Sequence, residues 1–178
     1  MNANHEILFN EQTIADKVKE LADLISKDYA GKELLLVCIL KGAITFTADL
    51  MRRITVPVTV ECVQAASYGA STSPAEKVVI KHDLETDVRG RHVLLVDTIV
   101  DTGKTMDSLL RNFAARGPAD LAVVALLDKK ARRLVDVPIS YRGFEAPDAF
   151  VVGYGMDSAE RFRNLPYIVM LKETAHRK

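Results

Sequence analysis

The residues with the clearest chemical potential follow an apolar run near the middle of the chain. The run at 92–96 (HVLLV) predicts a buried strand, and residues 97–105 (DTIVDTGKT) lead from it directly into a helix. Backbone N–H groups at the start of a helix bind anions, and Gly103 allows a ligand to approach them closely. Thr102 and Thr105 add hydroxyl donors beside it. The sequence therefore predicts a phosphate-binding site in this turn.

Two common nucleotide-binding patterns and a purely structural role fit the same turn less well. The triplet 103–105 (GKT) could end the P-loop pattern G-x-x-x-x-G-K-[ST], but that pattern requires glycine where this chain has Thr98. The dinucleotide pattern G-x-G-x-x-G does not occur in the sequence. Asp97 and Asp101 could simply cap the helix and solvate the turn. Their position on either side of a phosphate site, at the end of a buried strand, favours a functional role instead.

The segments around this turn alternate between apolar strands and amphipathic helices. We expect one helix from its N-cap Asn10 to near Gly31, and two more at about 43–53 and 104–116. Residues 66–76 have loop composition, and a loop of that length is typical of a lid or binding loop. The expected strands are 34–40, 58–63, 78–80, 92–96, 121–127, 150–152 and 167–171. This alternation predicts a parallel, doubly wound α/β sheet with ligands at the carboxyl ends of its strands.

The composition describes a globular chain without a strong overall charge. Of its 178 residues 48 % are hydrophobic, and 24 basic residues balance 24 acidic ones, so we expect no nucleic-acid or membrane partner. The longest apolar runs have seven residues, whereas a membrane-spanning helix needs about 20. The N-terminus does not resemble a signal peptide. Cys38 and Cys62 lie in apolar runs, which indicates buried free thiols and a cytoplasmic protein.

Several motifs along the chain resemble those of one family. Residues 93–106 (VLLVDTIVDTGKTM) look like the phosphoribosyl-pyrophosphate motif of type I phosphoribosyltransferases, and the hypoxanthine-guanine phosphoribosyltransferases are the best match among these. Residues 40–42 (LKG) resemble that family's pyrophosphate loop, and 67–69 (SYG) resemble the start of its mobile catalytic loop. Between 143 and 163 the segments GFE, PD, FVVGY, D and FR recur in family order. The resemblance therefore covers nearly the whole chain.

This resemblance implies a fold and an assembly. The chain would be a single domain, 1–178, with an α/β core at about 30–140. A small hood would be formed by the chain termini, at about 1–10 and 141–178. The family forms dimers and tetramers, so a homodimer or homotetramer is expected.

The resemblance also implies a reaction. The enzyme would salvage purines by transferring the 5-phosphoribosyl group from phosphoribosyl pyrophosphate to hypoxanthine or guanine, which gives IMP or GMP and pyrophosphate. Mg²⁺ would be the cofactor. Asp101 matches the family's general base, which removes a proton from the purine. Ser67 and Tyr68 would close over the reacting centre and exclude water.

The remaining site residues are expected to bind the parts of the substrates. Ribose and the 5′-phosphate would be bound by Asp97, Thr98, Asp101, Thr102, Gly103, Lys104 and Thr105. Pyrophosphate would be bound by Lys41, Gly42 and Arg163, and the family often has a cis peptide bond at this lysine. The purine would be bound by Lys129, Phe150, Val151 and Asp157. The metal would be bound by Asp157 and Asp97.

Some alternatives remain open at the level of the sequence. Thr98 stands where the family has the second of two adjacent acids, so weaker ribose and metal contacts are expected there. Phe150 fits a plain core position about as well as a purine-stacking one. A phosphoribosyltransferase for xanthine or another base would keep 97–105 and change the region around Lys129 and Phe150. A non-catalytic regulator that binds nucleotides and RNA would need a basic face, for which 129–133 is the only dense cluster.

Overall fold

A computed structural model describes residues 5–68 and 77–171 of the chain as two sheets and three α-helices. The helices are α1 (Glu11–Asp28), α2 (Ile44–Met51) and α3 (Lys104–Ala114). The strands are β1 (His5–Phe9), β2 (Leu34–Leu40), β3 (Val58–Tyr68), β4 (Lys77–His82), β5 (His92–Val100), β6 (Asp120–Asp128), β7 (Tyr141–Glu145), β8 (Phe150–Val152) and β9 (Ile168–Leu171).

The larger sheet has six strands in the order β4-β3-β2-β5-β6-β7. All its neighbours are parallel except β3 and β4, which form an antiparallel pair. Helices α1 and α2 pack on one face through residues such as Leu21 and Phe46. Helix α3 packs on the other through Met106, Leu109 and Phe113. The prediction of a doubly wound, mostly parallel α/β sheet is therefore confirmed.

The smaller sheet joins the two ends of the chain. Strand β1 pairs with β9, and β9 pairs with β8, all antiparallel, in the order β1-β9-β8. Strand β1 was not expected from the sequence, because five residues before a helix show little pattern of their own until β9 supplies a partner. Phe9 at the end of β1 stacks on Phe144 of β7, with ring centroids 4.2 Å apart, and so holds this sheet against the larger one.

Helix α1 forms as its sequence predicts, except at its C-terminus. The Asn10 side chain accepts a hydrogen bond from the Thr13 backbone N–H at 2.8 Å, which caps the first turn. Ile14, Val18, Leu21 and Ile25 are buried along one face. The helix ends at Asp28, short of Gly31, which lies in the turn beyond it with a φ of +77°.

Strands β5 and β3 extend four or more residues beyond their expected ends. Strand β5 continues past 96 to Val100, because the ladder with β6 goes on to pair Ile99 with Leu127 and Val100 with Asp128. Strand β3 continues to Tyr68, where the sequence predicted a loop from 66, because β4 pairs with it there. Residues 69–76 of that predicted loop lie outside the described residues.

Strand β7 was also missed by the sequence patterns. It lies at the edge of the larger sheet, parallel to β6, and only Tyr141 at its start is well buried. Edge strands lack the continuous apolar run that marks central strands. In the part of the chain that the structure describes, no helix is long and apolar enough to span a membrane.

Candidate active site

The turn between β5 and α3 encloses a cavity of about 150 Å³, which we call the turn cavity. Gly103 stands at the N-cap of α3 with a φ of +87°, a conformation that favours glycine. The residues that line the cavity are Asp97, Ile99, Val100, Asp101, Thr102, Gly103, Thr105 and Met106. A helix N-terminus with two threonine hydroxyls is suited to a phosphate group. Lys104 belongs to the same turn but does not line this cavity.

A second cavity of about 340 Å³, which we call the central cleft, opens beside the first. Ile99 and Asp101 line both, so the two cavities adjoin each other. Its lining residues are Lys41, Gly42, Ile99, Asp101, Lys129, Arg132, Phe150, Val151, Met156, Asp157 and Arg163. Every residue that the sequence suggested for pyrophosphate and for purine is therefore brought into one cleft. Parallel sheets bind ligands at this end of their strands.

Asp101 lies between two cations in the central cleft. Its Oδ2 atom is 3.6 Å from Lys129 Nζ and 3.6 Å from Arg132 Nη1. Its Oδ1 atom is buried and makes no hydrogen bond within the described residues. A carboxylate with one oxygen held by cations and the other without a protein partner can accept a proton from a bound ligand.

The aromatic residue of the cleft is exposed. Phe150 has 51 % of its surface accessible although it stands in β8, while the next residue, Val151, is buried. The core alternative for Phe150 is therefore excluded, and its ring is free to stack on a planar ligand. Lys129 is buried beside it and points its charge into the same cleft, next to Asp101.

Lys41 and Arg163 also line the central cleft, and they share an acid that sequence analysis missed. The Leu40–Lys41 peptide bond is cis, as the resemblance implied. Glu160 Oε2 lies 3.1 Å from Lys41 Nζ and 3.3 Å from Arg163 Nη2. Arg163 Nη2 is also 2.8 Å from Asp157 Oδ1. The only signal for Glu160 was an acid three residues before an expected anion-binding arginine, a spacing too common to single it out.

Thr98 does not lie where the sequence predicted it. Its side chain is fully buried and does not line the turn cavity, so it does not face a ribose there. Its hydroxyl donates a hydrogen bond of 2.9 Å to the Gly42 carbonyl oxygen. Gly155 approaches the same oxygen so closely that a Cβ on it would lie 2.1 Å away. Thr98 therefore connects β5 to the turn after β2.

Asp97 remains in the turn cavity, where its protonation is unusual. Burial raises the pKa of its carboxyl group to about 7, although backbone N–H groups of Ile99 and Thr98 oppose the shift. The predicted lid residues Ser67 and Tyr68 have their backbone in β3, paired with Val78 and Lys77. Their side chains lie outside what the structure describes.

The donor set for a metal consists of single carboxylates. Over residues 5–68 and 77–171 no group of three or more histidine, cysteine or acidic side chains is gathered as a metal site. Asp157 in the central cleft is held by Arg163 and by the Glu160 backbone N–H. Mg²⁺ is commonly bound by one or two carboxylates together with substrate phosphates and water. The residues present fit a metal that arrives with a pyrophosphate group rather than a resident one.

Comparison with known proteins agrees with this geometry. Residues 4–159 match the family model described as the phosphoribosyl transferase domain. The chain belongs to the phosphoribosyltransferase family. A hypoxanthine-guanine phosphoribosyltransferase of Streptococcus thermophilus is 39 % identical over 173 residues, which cover 97 % of this chain and 96 % of the relative. A hypoxanthine phosphoribosyltransferase of Salmonella typhimurium is 43 % identical over 165 residues, with 92 % and 93 % covered.

The likeness extends to solved phosphoribosyltransferase structures. The crystal structure of a hypoxanthine phosphoribosyltransferase from Staphylococcus aureus has a TM-score of 0.92 and 39 % sequence identity. It covers 97 % of this chain and 94 % of that one, so both sheets and the cleft between them fall within the match. The protein is thus an enzyme of this family in fold and in sequence.

Proposed function

We propose that the protein transfers the 5-phosphoribosyl group from phosphoribosyl pyrophosphate to hypoxanthine, guanine or both, which yields IMP or GMP and pyrophosphate. The observation that carries the proposal is the single cleft that Asp101, Lys129 and Phe150 line together with Lys41 and Arg163. Relatives about 40 % identical over nearly the whole chain bear the names of hypoxanthine and hypoxanthine-guanine phosphoribosyltransferases.

The purine would bind between the ring of Phe150 and the charge of Lys129. Lys129 donates hydrogen bonds and cannot accept them, so it favours a 6-oxo group over the 6-amino group of adenine. Its ammonium lies 3.6 Å from Asp101, and one purine can contact both, because the 6-oxo group and the imidazole ring share an edge. Asp101 would remove the imidazole proton as the bond to the ribose forms. The backbone of Val151 would contact the purine's polar edge.

The phosphoribosyl donor would occupy both cavities. Its 5′-phosphate would lie in the turn cavity, bound by backbone N–H groups at the start of α3 and by the hydroxyls of Thr102 and Thr105. The ribose would lie beside Asp97. Because the transition state at the anomeric carbon resembles an oxocarbenium ion, catalysis would rest on holding the two reactants in line and stabilising the leaving group.

The leaving pyrophosphate would be bound by the backbone at Lys41 and Gly42 and by the guanidinium of Arg163. Mg²⁺, held by Asp157 and the pyrophosphate oxygens, would neutralise part of the charge that develops there. Glu160 pairs with both Lys41 and Arg163, so its carboxylate would have to move away from these two cations when they bind pyrophosphate.

The structure weakens the regulator alternative. All four cations of the basic cluster at 129–133 lie within 4 Å of a carboxylate. Lys130 is 2.8 Å from Glu145, Arg133 pairs with Asp128, and Lys129 and Arg132 both face Asp101. A cluster whose charges are matched by acids presents little positive potential to RNA.

The test is to supply phosphoribosyl pyrophosphate and Mg²⁺ with hypoxanthine, guanine, xanthine, adenine, uracil and orotate in parallel. We expect nucleotide from hypoxanthine or guanine and none from adenine. Turnover of xanthine or a pyrimidine alone would replace the proposal with another phosphoribosyltransferase. Binding of the donor without turnover of any base would overturn it in favour of the regulator.

A pair of variants makes the base assignment sharper. Lys129→Gln should raise the KM for hypoxanthine about tenfold or more, because the charged donor to the 6-oxo group is lost. Lys130→Gln is the matched control, since Lys130 pairs with Glu145 and does not line the central cleft. An equal effect of both changes would remove Lys129 from the purine site.

We also infer the remaining properties by the same resemblance. The chain would form one domain with a hood from its two ends, assembled as a homodimer or homotetramer, and light scattering of the purified protein tests the assembly. Within the described part of the chain Cys38 and Cys62 are free thiols, which supports a reducing, cytoplasmic compartment.

A further inference from the structure

The carbonyl oxygens of Val100, Asp101 and Thr102, where β5 leads into the turn before α3, are bound by one segment of the chain, residues 129–135. The Val100 oxygen accepts from the Lys129 N–H at 3.0 Å, and the Thr102 oxygen accepts from the N–H groups of Leu134 and Val135 at 2.9 and 3.1 Å. A single side chain, that of Arg133, binds the remaining oxygen. Its Nε donates to the Asp101 carbonyl at 3.1 Å, and its Nη2 donates to the Val100 carbonyl at 3.2 Å.

The direction of these carbonyls determines where the N–H groups point. In a trans peptide unit the C=O of one residue and the N–H of the next point in opposite directions. Carbonyls of 100–102 that face segment 129–135 therefore turn the N–H groups of 101–103 away from it. The turn cavity lies on that other side, since none of residues 129–135 lines it. These N–H groups are the ones available to a 5′-phosphate.

Arg133 is itself held in place on two sides. Its guanidinium pairs with Asp128, which is fully buried at the end of β6, and only 15 % of the Arg133 side chain is exposed. Its aliphatic part packs on the turn so closely that a Cβ on Gly103 would lie 2.9 Å from Arg133 Cδ. A planar guanidinium with three fixed acceptors leaves the loop little freedom to rotate its peptide units.

We propose that Arg133 is a positioning residue for the 5′-phosphate: it binds the carbonyl oxygens of Val100 and Asp101 and thereby aims the turn's N–H groups into the turn cavity. This inference rests on the proposed function only in its choice of ligand. Arg133 does not contact the ligand itself, so its effect should be confined to ligands that carry the 5′-phosphate. Pyrophosphate would be bound by Lys41, Gly42 and Arg163, none of which lines the turn cavity, so its binding should not respond.

Arg142 provides a matched control. Its Nε lies 2.6 Å from Asp128 Oδ2, so it neutralises the same buried carboxylate, yet it donates to no carbonyl of the turn. If Arg133 served only to balance the charge of Asp128, replacing either arginine would have similar consequences. If it positions the turn, only the Arg133 variants will affect phosphate binding.

The experiment compares Arg133→Lys, Arg133→Met and Arg142→Met with the wild type. Inhibition constants are measured for IMP, ribose 5-phosphate and pyrophosphate, together with the KM for phosphoribosyl pyrophosphate and the melting temperature. Both Arg133 variants should bind IMP and ribose 5-phosphate about tenfold more weakly, whereas the inhibition constant for pyrophosphate should change by less than about twofold. Lysine keeps the charge near Asp128 but cannot reproduce the planar donor pattern. Arg142→Met should leave all three constants within about twofold of the wild type.

Several outcomes would overturn the inference. Wild-type affinity for ribose 5-phosphate in Arg133→Lys would do so, as would an equal loss for pyrophosphate or an equal effect of Arg142→Met. If Arg133→Met does not fold, Arg133→Lys decides. Ribose 5-phosphate contains no purine, so its loss of binding supports the inference even if the wild type fails to use hypoxanthine, in which case only the proposed function falls.

Discussion

At the scale of single residues, the sequence identified several residues of the site but not the partners with which they interact. Asp101, Lys129 and Arg163 were identified by motif, whereas their charge partners depend on the folded chain. Lys41 meets Glu160 across 119 positions of sequence, a contact no local pattern records. Arg133 was seen only as part of a basic cluster, and its two bonds to turn carbonyls became visible with the fold.

The proposed general base gives the most direct prediction at this scale. Asp101→Asn should lower the forward rate by about 10²-fold or more, because an amide cannot take the purine proton. Binding of phosphoribosyl pyrophosphate should change little. Rapid-quench measurement of nucleotide formation, with donor binding measured separately by calorimetry, checks both statements.

Asp107→Asn is the control for that variant. Asp107 lies on α3 close to the same turn but forms its ion pair with Arg111, away from the cleft. It should turn over at a rate close to that of the wild type. A near-normal rate for Asp101→Asn would contradict the assignment of Asp101 as the general base. Lys129 and Arg132 would then have no proton acceptor to orient.

Thr98 gives a second prediction, which follows from the departure of this chain from its family. Thr98→Val keeps the shape but leaves the Gly42 carbonyl without its hydroxyl donor. Inhibition by pyrophosphate should weaken by about fivefold, because the turn that contains Gly42 loses a fixed neighbour. Thr47→Val should have no such effect, because Thr47 is also buried but its hydroxyl makes no hydrogen bond to that turn. Equal inhibition constants in the two variants would contradict the proposed connection.

At the scale of helices and strands, prediction succeeded where periodicity or continuous burial was strong. Helix α1 and strands β2, β5 and β6 were found because their apolar residues repeat every three to four positions or run without interruption. Strands β1 and β7 were missed because pairing with distant partners, not local pattern, makes them strands. The same reason hid the extension of β5 through polar Asp97 and Thr98.

Gly103 tests how the turn between β5 and α3 is built. Gly103→Ala should destabilise the protein and abolish IMP binding, because alanine is strained at a φ of +87° and its Cβ would lie 2.3 Å from the Val135 carbonyl oxygen. Gly31→Ala is the matched control, with a φ of +77° and nothing within 4 Å of the added Cβ. In this variant only the added backbone strain should lower the free energy of unfolding, by roughly 1 kcal/mol.

Chemical denaturation of the two glycine variants separates these effects. Gly103→Ala should unfold at clearly lower denaturant than Gly31→Ala, and only Gly103→Ala should lose affinity for IMP. Similar midpoints would mean that segment 133–137 moves aside at little cost, and the close packing of that segment on the turn would then have no role in shaping it.

At the scale of the whole molecule, the cleft belongs to neither sheet alone. The larger sheet supplies Asp101 and Lys129 at the carboxyl ends of β5 and β6, while Phe150 comes from β8 of the smaller sheet. The chain must therefore fold at least as far as Arg163 before the site is complete. Sequence motifs could place each contribution along the chain, but the distance between Phe150 and Lys129 is set by how the two sheets pack.

Burial of Asp97 should lower the free energy of unfolding of the whole molecule when its carboxyl group is ionised. Its pKa is raised to about 7 in the folded protein, above the ordinary value near 4 in the unfolded chain. Between these values the folded state binds a proton that the unfolded state has lost, so the free energy of unfolding falls as pH rises and the cost is complete only above pH 7. Asp97→Asn removes this titration while keeping the shape.

The prediction is therefore a difference that grows with pH. The free energies of unfolding are measured by denaturation in buffer containing EDTA. The difference between Asp97→Asn and the wild type should increase in favour of the variant by about 2 kcal/mol from pH 5 to pH 8. Asp107→Asn, whose carboxylate is paired at the surface with Arg111, should show no such trend. A constant difference for Asp97→Asn would mean that Asp97 is ionised in the fold throughout this range. The protein would then stabilise the buried Asp97 carboxylate by itself, and its burial would not lower the free energy of unfolding as pH rises.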